Sequence, residues 1–481
     1  MVLEKREFYI GGRWVAPAVA NDFQVIDPSN EEPCAVISLG DRADTDAAVA
    51  AARAAFESWS QTPKADRLAL IEKLADIYEA RADEMGETIS REMGAPVAMA
   101  RTAQAGAGSW HIRNFITAFK AFEFDRMLGD HAPNDRILYE PIGVCGLITP
   151  WNWPMNQVTL KAVPAMAAGC TMVLKPSEIA PLSALLFAEM VHEAGFPAGV
   201  FNLVNGDGAG VGTQLSGHPD VDMISFTGSA RAGAAISKNA ADTIKRVSLE
   251  LGGKGANLIF ADADEKAVTR GVRHCFNNTG QSCNAPTRML AERSIYDQAV
   301  RTAIEVAEAT EVDLASKEGR HIGPVVSEMQ FDKVQGLIEQ GIAEGARLVA
   351  GGPGRPPGLN RGYFVRPTVF ADVTNDMTIA REEIFGPVLA IMPFDSEDEA
   401  VAIANNTVYG LTNYVQTQDG ERANRLARRL RSGMVEMNGQ PRGAGSPFGG
   451  YKQSGNGREG GVWGLEDFLE VKAVSGWTGG G

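Results

Sequence analysis

Thr171-Met172-Val173-Leu174-Lys175-Pro176-Ser177-Glu178 is the stretch on which the fold turns. Its first four residues read as a buried strand, and Lys-Pro ends it. A helix over Ser183 to Ala194 follows and stops at Gly195, with Pro197 just beyond, the signature of a glycine cap. Next come a strand from Val200 to Val204, a glycine-rich turn (Gly206, Gly208, Gly210, Gly212) and a strand from Asp222 to Phe226. A helix from Ala230 and the run Val247-Ser248-Leu249-Glu250-Leu251 complete the series. Strands alternating with helices of this length predict βαβ units and a parallel sheet. Ligands in such sheets lie beyond the carboxyl ends of the strands, and Lys175, Glu178, Gly228 and Glu250 all fall there.

Working outward, Ile10-Gly11-Gly12-Arg13-Trp14 reads as a hairpin turn. Thr45 reads as the N-cap of a helix whose inner face is Val49, Ala52, Phe56 and Trp59. A second helix buries Leu68, Ile71, Leu74 and Tyr78. Ile137 to Tyr139 and Gly143 to Ile148 read as strands, which makes Cys145 core. Downstream, Ala256 to Phe260, Val388 to Phe394, Leu411 to Val415 and Gly433 to Met437 read as strands. Ser327-x-x-Gln330 and Ser396-x-x-Glu399 read as capping boxes. The arginines of Glu421 to Arg431 read as a solvated face, and Gly351 to Gly358 as a surface loop. The class is α/β in two lobes, with Glu250 and Cys283 flanking the junction.

With 481 residues, more than one core is expected. A net charge of −15 opposes nucleic acid or an anionic membrane as partner. The five cysteines contain no C-x-x-C pair, so neither a zinc site nor a disulfide framework is expected, and no metal. No apolar run reaches signal or membrane-spanning length. These features predict a cytoplasmic enzyme.

The chemistry gathers at Gly280-Gln281-Ser282-Cys283 and Glu250-Leu251-Gly252-Gly253-Lys254. Small and polar neighbours leave Cys283 open to an electrophile. Glu250 ends a buried strand before paired glycines. A thiol nucleophile and a partly desolvated carboxylate base are the parts of covalent acyl chemistry. Taken singly, each also fits a plainer reading, a small core residue and a turn residue.

The motifs Thr149-Pro150-Trp151-Asn152-Trp153-Pro154, Lys175-Pro176-Ser177-Glu178, Phe226-Thr227-Gly228-Ser229, Glu250 to Lys254, Gly280 to Cys283, Glu382-Glu383-Ile384-Phe385-Gly386-Pro387 and Ser446-Pro447-Phe448-Gly449-Gly450 occur in this order. Together they resemble the NAD(P)-dependent aldehyde dehydrogenase superfamily, of the hydrolytic type, over nearly the whole chain. The resemblance implies two Rossmann-like parallel-sheet lobes and a small β oligomerisation flap. It divides the chain into a dinucleotide-binding domain (1–122 and 142–252), a catalytic domain (253–465) and oligomerisation segments (123–141 and 466–481). A homotetramer or homodimer is implied.

It further implies that Cys283 attacks a small-molecule aldehyde and that Asn152, with the Cys283 N–H, holds the oxyanion. Glu250 would activate the water that hydrolyses the thioester, and Lys161 and Glu459 would form a proton route behind it. The cofactor would be NAD in preference to NADP, because Glu178 faces the ribose hydroxyls. The glycine turn is not G-x-G-x-x-G, since Val211 stands at the third glycine. Instead, Phe226, Thr227, Gly228, Ser229 and Gly233 would meet the pyrophosphate, and Lys175 and Glu178 the adenosine ribose. Glu383 and Phe385 would hold the nicotinamide half, with Ile148, Thr149, Pro150, Trp151, Ser177, Gly208, Gly212 and Leu251 completing the cofactor site. Gln157, Leu160, Ser282, Asn284, Arg442 and Phe448 would line the substrate pocket, where Arg442 could fork onto a semialdehyde carboxylate.

Two rival readings stand beside this one. A cysteine hydrolase or amidase needs a histidine base, and no histidine lies in a motif, although His274 is near Cys283 in sequence. A non-catalytic binding or structural relative would be free to lose Cys283, Glu250 or Asn152, and all three are present.

Overall fold

In the computed structural model, which describes residues 2–478, the strand Thr171–Lys175 forms as expected. Met1 and 479–481, included in the expected first and last segments, lie outside the described residues. All five residues of this strand are buried, as a central strand covered on both faces requires. It pairs in parallel with Val144–Ile148 on one side and Phe201–Leu203 on the other. Beyond Val144–Ile148 come Met223–Thr227 and then Arg246–Glu250, also parallel. The hairpin Phe8–Ile10 and Arg13–Val15 closes the opposite edge antiparallel, completing seven strands. Large apolar clusters pack on both faces of this sheet.

A second seven-stranded sheet is ordered Arg347–Ala350, Thr368–Ala371, Val388–Phe394, Arg288–Glu292, Ala256–Ile259, Thr412–Gln416, Met434–Met437. It is parallel except at the Arg347–Ala350 edge, and it too has an apolar cluster on each face. The two-lobed α/β architecture is therefore as expected. A three-stranded antiparallel sheet joins Asp125–Gly129, Ala132–Pro141 and Leu469–Val474. Leu469–Val474 pairs with Ala132–Pro141 of its own chain, so only its outer edge lacks a partner. One small sheet was not legible in the sequence: Leu3–Lys5, Glu32–Ser38 and Asp22–Asp27.

The edge strand carrying Glu250 is covered in an unusual way. The segment 454–457 returns from the second lobe and pairs with it, through Leu251 N–H to the Ser454 carbonyl (2.9 Å) and a Glu250–Gly455 bridge. The Asn456 side chain accepts from Leu249 N–H at 2.9 Å and donates to the Val247 carbonyl. An open strand edge is thereby satisfied from within the chain.

Three local expectations are corrected. The first long helix, Arg42–Trp59, is capped by Asp41 in a reciprocal box with Asp44, and Thr45 lies inside it. Aspartate at both positions satisfies two free N–H groups at once, which a single threonine cannot do. The glycine-rich turn is a π-helical turn, Gly208–Gly212, held by Asp207 accepting from Gly210 N–H. Ser327 caps Glu328–Ala343, but Gln330 does not reciprocate: its amide donates to the carbonyls of Ile384 (3.2 Å) and Phe385 (2.8 Å).

Candidate active site

Cys283 follows the helix Ala267–Phe276 through a tightly bent loop. Asn278 and Thr279 adopt left-handed conformations, with φ of 53° and 57°, which cost about 1–3 kcal/mol each outside glycine. Gly280 is required here, because a Cβ would come within 2.1 Å of the Gly386 carbonyl oxygen. The loop is held by buried amides. Gln104 Nε2 donates to the Asn152 carbonyl and to Asn278 Oδ1, both at 3.1 Å. Asn278 Nδ2 donates to the carbonyls of Asn152 (2.9 Å) and Gln281 (3.2 Å). Gln281 Oε1 accepts from Val326 N–H at 2.9 Å. Such a network pays for the strain and fixes the thiol.

Asn152 is buried, and its Nδ2 donates to the Gln281 carbonyl at 3.0 Å. One amide proton is spent on the cysteine loop and the other is left for a ligand. Cys283 is half-buried rather than open, at the floor of a cavity. Burial first, then the charges of Glu383 and Glu250, push its thiol up to about 12, so it is protonated at neutral pH.

Glu250 is the exceptional residue. It is 2% exposed, and neither carboxylate oxygen has a hydrogen-bond partner. Burial, then the Glu459 charge, raises its carboxyl well above the usual range, with Lys161 and Arg458 opposing. The backbone of the returning segment presses on it. A Cβ on Gly449 would lie 2.6 Å from Oε1, and one on Gly457 3.2 Å away. The next segment contacts the Cys283 loop, since a Cβ on Gly253 would lie 2.3 Å from the Cys283 carbonyl oxygen. Lys161 and Glu459 form a buried ion pair, and Glu459 Oε2 remains free. Glu459 is fixed by a backbone bridge to Phe448, 2.7 and 2.8 Å in the two directions.

The cavity above Cys283 measures about 510 Å³. Gln157, Leu160, Asn284, Arg442 and Phe448 line it. Ser282 does not: its hydroxyl turns away to accept from the Trp153 indole N–H at 2.8 Å. The helix Ala105–Ala121, not anticipated in the sequence, supplies a wall through Trp110, His111, Asn114 and Phe115, the spacing of one helical face. His111 Nε2 donates to Asn156 Oδ1 at 2.7 Å, and burial lowers its pKa to about 4. His274 stacks edge-on against Tyr414 at 5.1 Å, and burial lowers its pKa too. Among the described residues no histidine hydrogen-bonds Cys283, so the hydrolase reading lacks its base.

A second group of residues gathers at the carboxyl ends of the first sheet. The strand order reverses direction between Val144–Ile148 and Met223–Thr227, the place where such sheets bind dinucleotides. Ser229 caps the helix Ala230–Ala240. The Phe226 ring folds under Gly228, where a Cβ would lie 2.3 Å from it, and Gly233 meets Leu251 with a Cβ distance of 2.8 Å. Thr227 Oγ1 is buried with no partner, and Gly208 faces open space. A helix N-terminus with only the Ser229 cap, an orphan hydroxyl and bare glycine backbone fit a pyrophosphate. Thr149 N–H donates to the Lys175 carbonyl at 3.1 Å, and Ile148 and Ser177 are buried beside it. Lys175 donates to the carbonyls of Gly206 (2.6 Å) and Pro176 (2.8 Å) and to Glu178 at 3.4 Å, and Gly212 packs on its stem. Trp151, next to Pro150, packs edge-on against Phe385 at 5.4 Å, so residues of both lobes meet. Phe385 is itself left-handed, with φ of 60°, and Glu383 accepts from Gly253 N–H at 2.8 Å.

Sequence reading missed Gln104, Asn278 and Gln281 as supports, and Trp110, His111, His274 and Glu436 as cavity wall. A helical period covering 107 to 115 was the available signal for the wall. The aldehyde dehydrogenase family matches residues 14–474, and the chain belongs to that family. It is thus an oxidoreductase acting on aldehydes. A 3-succinoylsemialdehyde-pyridine dehydrogenase from a Pseudomonas species is 53% identical over 476 residues, covering 98% of this chain and 99% of the relative. An aldehyde dehydrogenase from Bartonella henselae matches with TM-score 0.98 at 62% identity, covering 98% of this chain and all of that one. Aldehyde dehydrogenase C from Pseudomonas syringae, solved with NAD+ and octanal, matches with TM-score 0.96 at 49% identity, covering 99% and 98%.

Proposed function

We propose that this enzyme oxidises an uncharged, apolar or aromatic aldehyde to the free carboxylic acid with NAD+, using Cys283 as nucleophile and Glu250 as base. The observation that carries this reading is the buried Glu250 carboxylate with both oxygens unpartnered, on a segment touching the Cys283 loop. A thiol pushed up to about 12 needs a base, and a carboxyl raised by burial is the better one. Glu250 takes the thiol proton, and sulfur bonds to the aldehyde carbon. The resulting oxyanion accepts from the remaining Asn152 amide proton and the Cys283 N–H. When bound, the cofactor supplies a two-electron acceptor for the hydride that leaves this carbon, so that a thioester on Cys283 results. Glu250 then activates water against the thioester, and the free acid leaves. Glu459 Oε2 and Lys161 provide an exit for the proton taken up by Glu250.

The cofactor would be held by Phe226 to Ser229, Gly233, Lys175, Glu178, Glu383 and Phe385, with Ile148 to Trp151, Ser177, Gly208, Gly212 and Leu251 around it. The relative solved with NAD+ and octanal supports both the dinucleotide and an apolar tail. Trp110, Trp153, Leu160 and Phe448 in the cavity agree. We assign 1–122 and 142–252 to cofactor binding, 253–465 to catalysis, and 123–141 with 466–481 to assembly of a homodimer or homotetramer. Exposed Met127, Leu128 and Val471 on that sheet support the last assignment. A cytoplasmic site of action fits the free thiols.

The test is NADH release from octanal or benzaldehyde, with the acyl group trapped on Cys283 and found by mass spectrometry. Release of NADH from no aldehyde, or an acyl group on another residue, would reject the reading.

A further inference from the structure

Arg442 is the one cationic side chain lining the cavity among the described residues, and it is already engaged. Its Nε pairs with Glu436 Oε1 at 3.2 Å, its Cζ lies 4.7 Å from the centre of the Phe448 ring, and Nη1 reaches Met434 Sδ at 3.5 Å. The Nε edge needed for a two-bond fork onto a ligand carboxylate is therefore partly taken. The arginine expected as a possible fork for a semialdehyde carboxylate is thus already paired with Glu436.

Glu436 is fixed in turn. It lies on Met434–Met437, directly opposite Tyr414 in the strand register, and its side chain is 13% exposed. The Tyr414 hydroxyl donates to the carbonyl of Asn284, the residue after the nucleophile, at 2.6 Å. The ion pair is thus tied to the reacting centre through one strand pair and one hydrogen bond. The two histidines of the cavity, held neutral by burial, offer a carboxylate no charge either.

We propose that Glu436 is a specificity-determining residue: by holding Arg442 as an ion pair, it sets the cavity for uncharged aldehydes and excludes aldehydes that carry a carboxylate. This rests on the reading of the cavity as the aldehyde site. Removing the Glu436 charge frees the guanidinium for a ligand carboxylate, whereas removing Arg442 leaves an anion facing one. The two variants should therefore act in opposite directions.

The experiment compares 4-carboxybenzaldehyde with benzaldehyde, which differ only in the distal carboxylate. The readout is the ratio of their kcat/KM values in the wild type, Glu436→Gln, Arg442→Met and the double variant. In Glu436→Gln the acidic-to-neutral ratio should rise about 10- to 100-fold, the range of one hydrogen bond to a charged group. In Arg442→Met it should fall, and in the double variant the gain should vanish. An unchanged ratio in Glu436→Gln, or a gain that survives loss of Arg442, would overturn the proposal. Should Glu436→Gln fail to fold, Glu436→Ala takes its place, with and without Arg442→Met, and the same gain and its loss are read. Affinities of the two aldehydes for the same variants in a Cys283→Ala background, by calorimetry, give the comparison without turnover. A protein that releases no NADH but shows the affinity pattern would reject the dehydrogenase chemistry and keep the clamp.

Discussion

Glu250 and Glu436 are both strand carboxylates near the same cavity, and the chain treats them in opposite ways. Glu250 is buried with no hydrogen bond at either oxygen, pressed by the backbone of Gly449 and Gly457. Glu436 is paired with Arg442 at 3.2 Å and backed by Tyr414. Burial raises the carboxyl of each; Arg442 opposes the rise at Glu436, as Lys161 and Arg458 do at Glu250. The difference separates reaction from selection. A group that must exchange protons is left without partners, so that its proton affinity stays high. A group that shapes a pocket is tied down.

The largest effect that could break this contrast is kinetic. Glu250→Gln should slow deacylation about 10²–10⁴-fold, the usual worth of a general base. Because Glu250 also takes the Cys283 proton, stopped-flow mixing of this variant with aldehyde and NAD+ should show neither burst nor adduct. A burst near one NADH per site followed by slow turnover would confine Glu250 to deacylation. A full steady-state rate would refute its role. Asn152 is intermediate, with one amide proton bonded and one free. Asn152→Ala should lower kcat about 10²–10³-fold, the cost of one oxyanion donor. Equal loss of kcat and kcat/KM would mark an interaction made in the transition state, whereas a rise in KM alone would not.

Smaller effects sharpen the same comparison. Glu178 is held by Lys175 at 3.4 Å, so it should adjust affinity rather than chemistry. Glu178→Gln should move the NAD-to-NADP ratio of kcat/KM towards NADP by about tenfold or less, because Lys175 already softens the repulsion. Comparable wild-type values for the two cofactors would sink that assignment. Stability gives the last test. A carboxyl whose folded pKa is raised contributes stability that is full below about pH 4.5 and lost as pH rises through the folded value. Glu250→Gln should therefore stabilise the protein by about 1–3 kcal/mol at pH 8, less towards pH 5, in urea denaturation. Glu436→Gln, at a partly buried pair whose Arg442 side chain is 33% exposed, should change it by less, about 1 kcal/mol.

Much of this site was legible because its chemistry sits beside turns. Glu250 precedes two glycines and Cys283 follows one; Gly253 and Gly280 are needed where backbones touch, and Gly252 where the Glu383 carboxylate comes close. The central strands were legible because Met172 to Leu174 and Val144–Ile148 are unbroken apolar runs. What escaped was whatever depends on which face of an element meets which other. Trp110 and His111 lie on a helix whose cavity-facing stripe looks like any core stripe. Glu436 lies in a short strand, and nothing in Met-Val-Glu-Met says that its partner is six residues on. Gln104 is a lone amide in an alanine-rich run, and its importance appears only when Asn152 and Asn278 arrive from elsewhere. The cap at Asp41 was missed because Thr45 is also a capping residue type.

The strand segment that returns to cover Glu250 has a consequence for how the protein is made. Both seven-stranded sheets are complete once the chain has reached Met437. Phe448, Gly449, Gly455, Gly457 and Glu459 all come later, and they supply the floor under the base and the anchor for Lys161. On the ribosome, where domains fold in the order they emerge, the nucleophile is therefore synthesised and both lobes can fold before the catalytic carboxylate is enclosed. A nascent enzyme of this kind carries a thiol but no finished base, and gains the power to turn over only as its last segments dock.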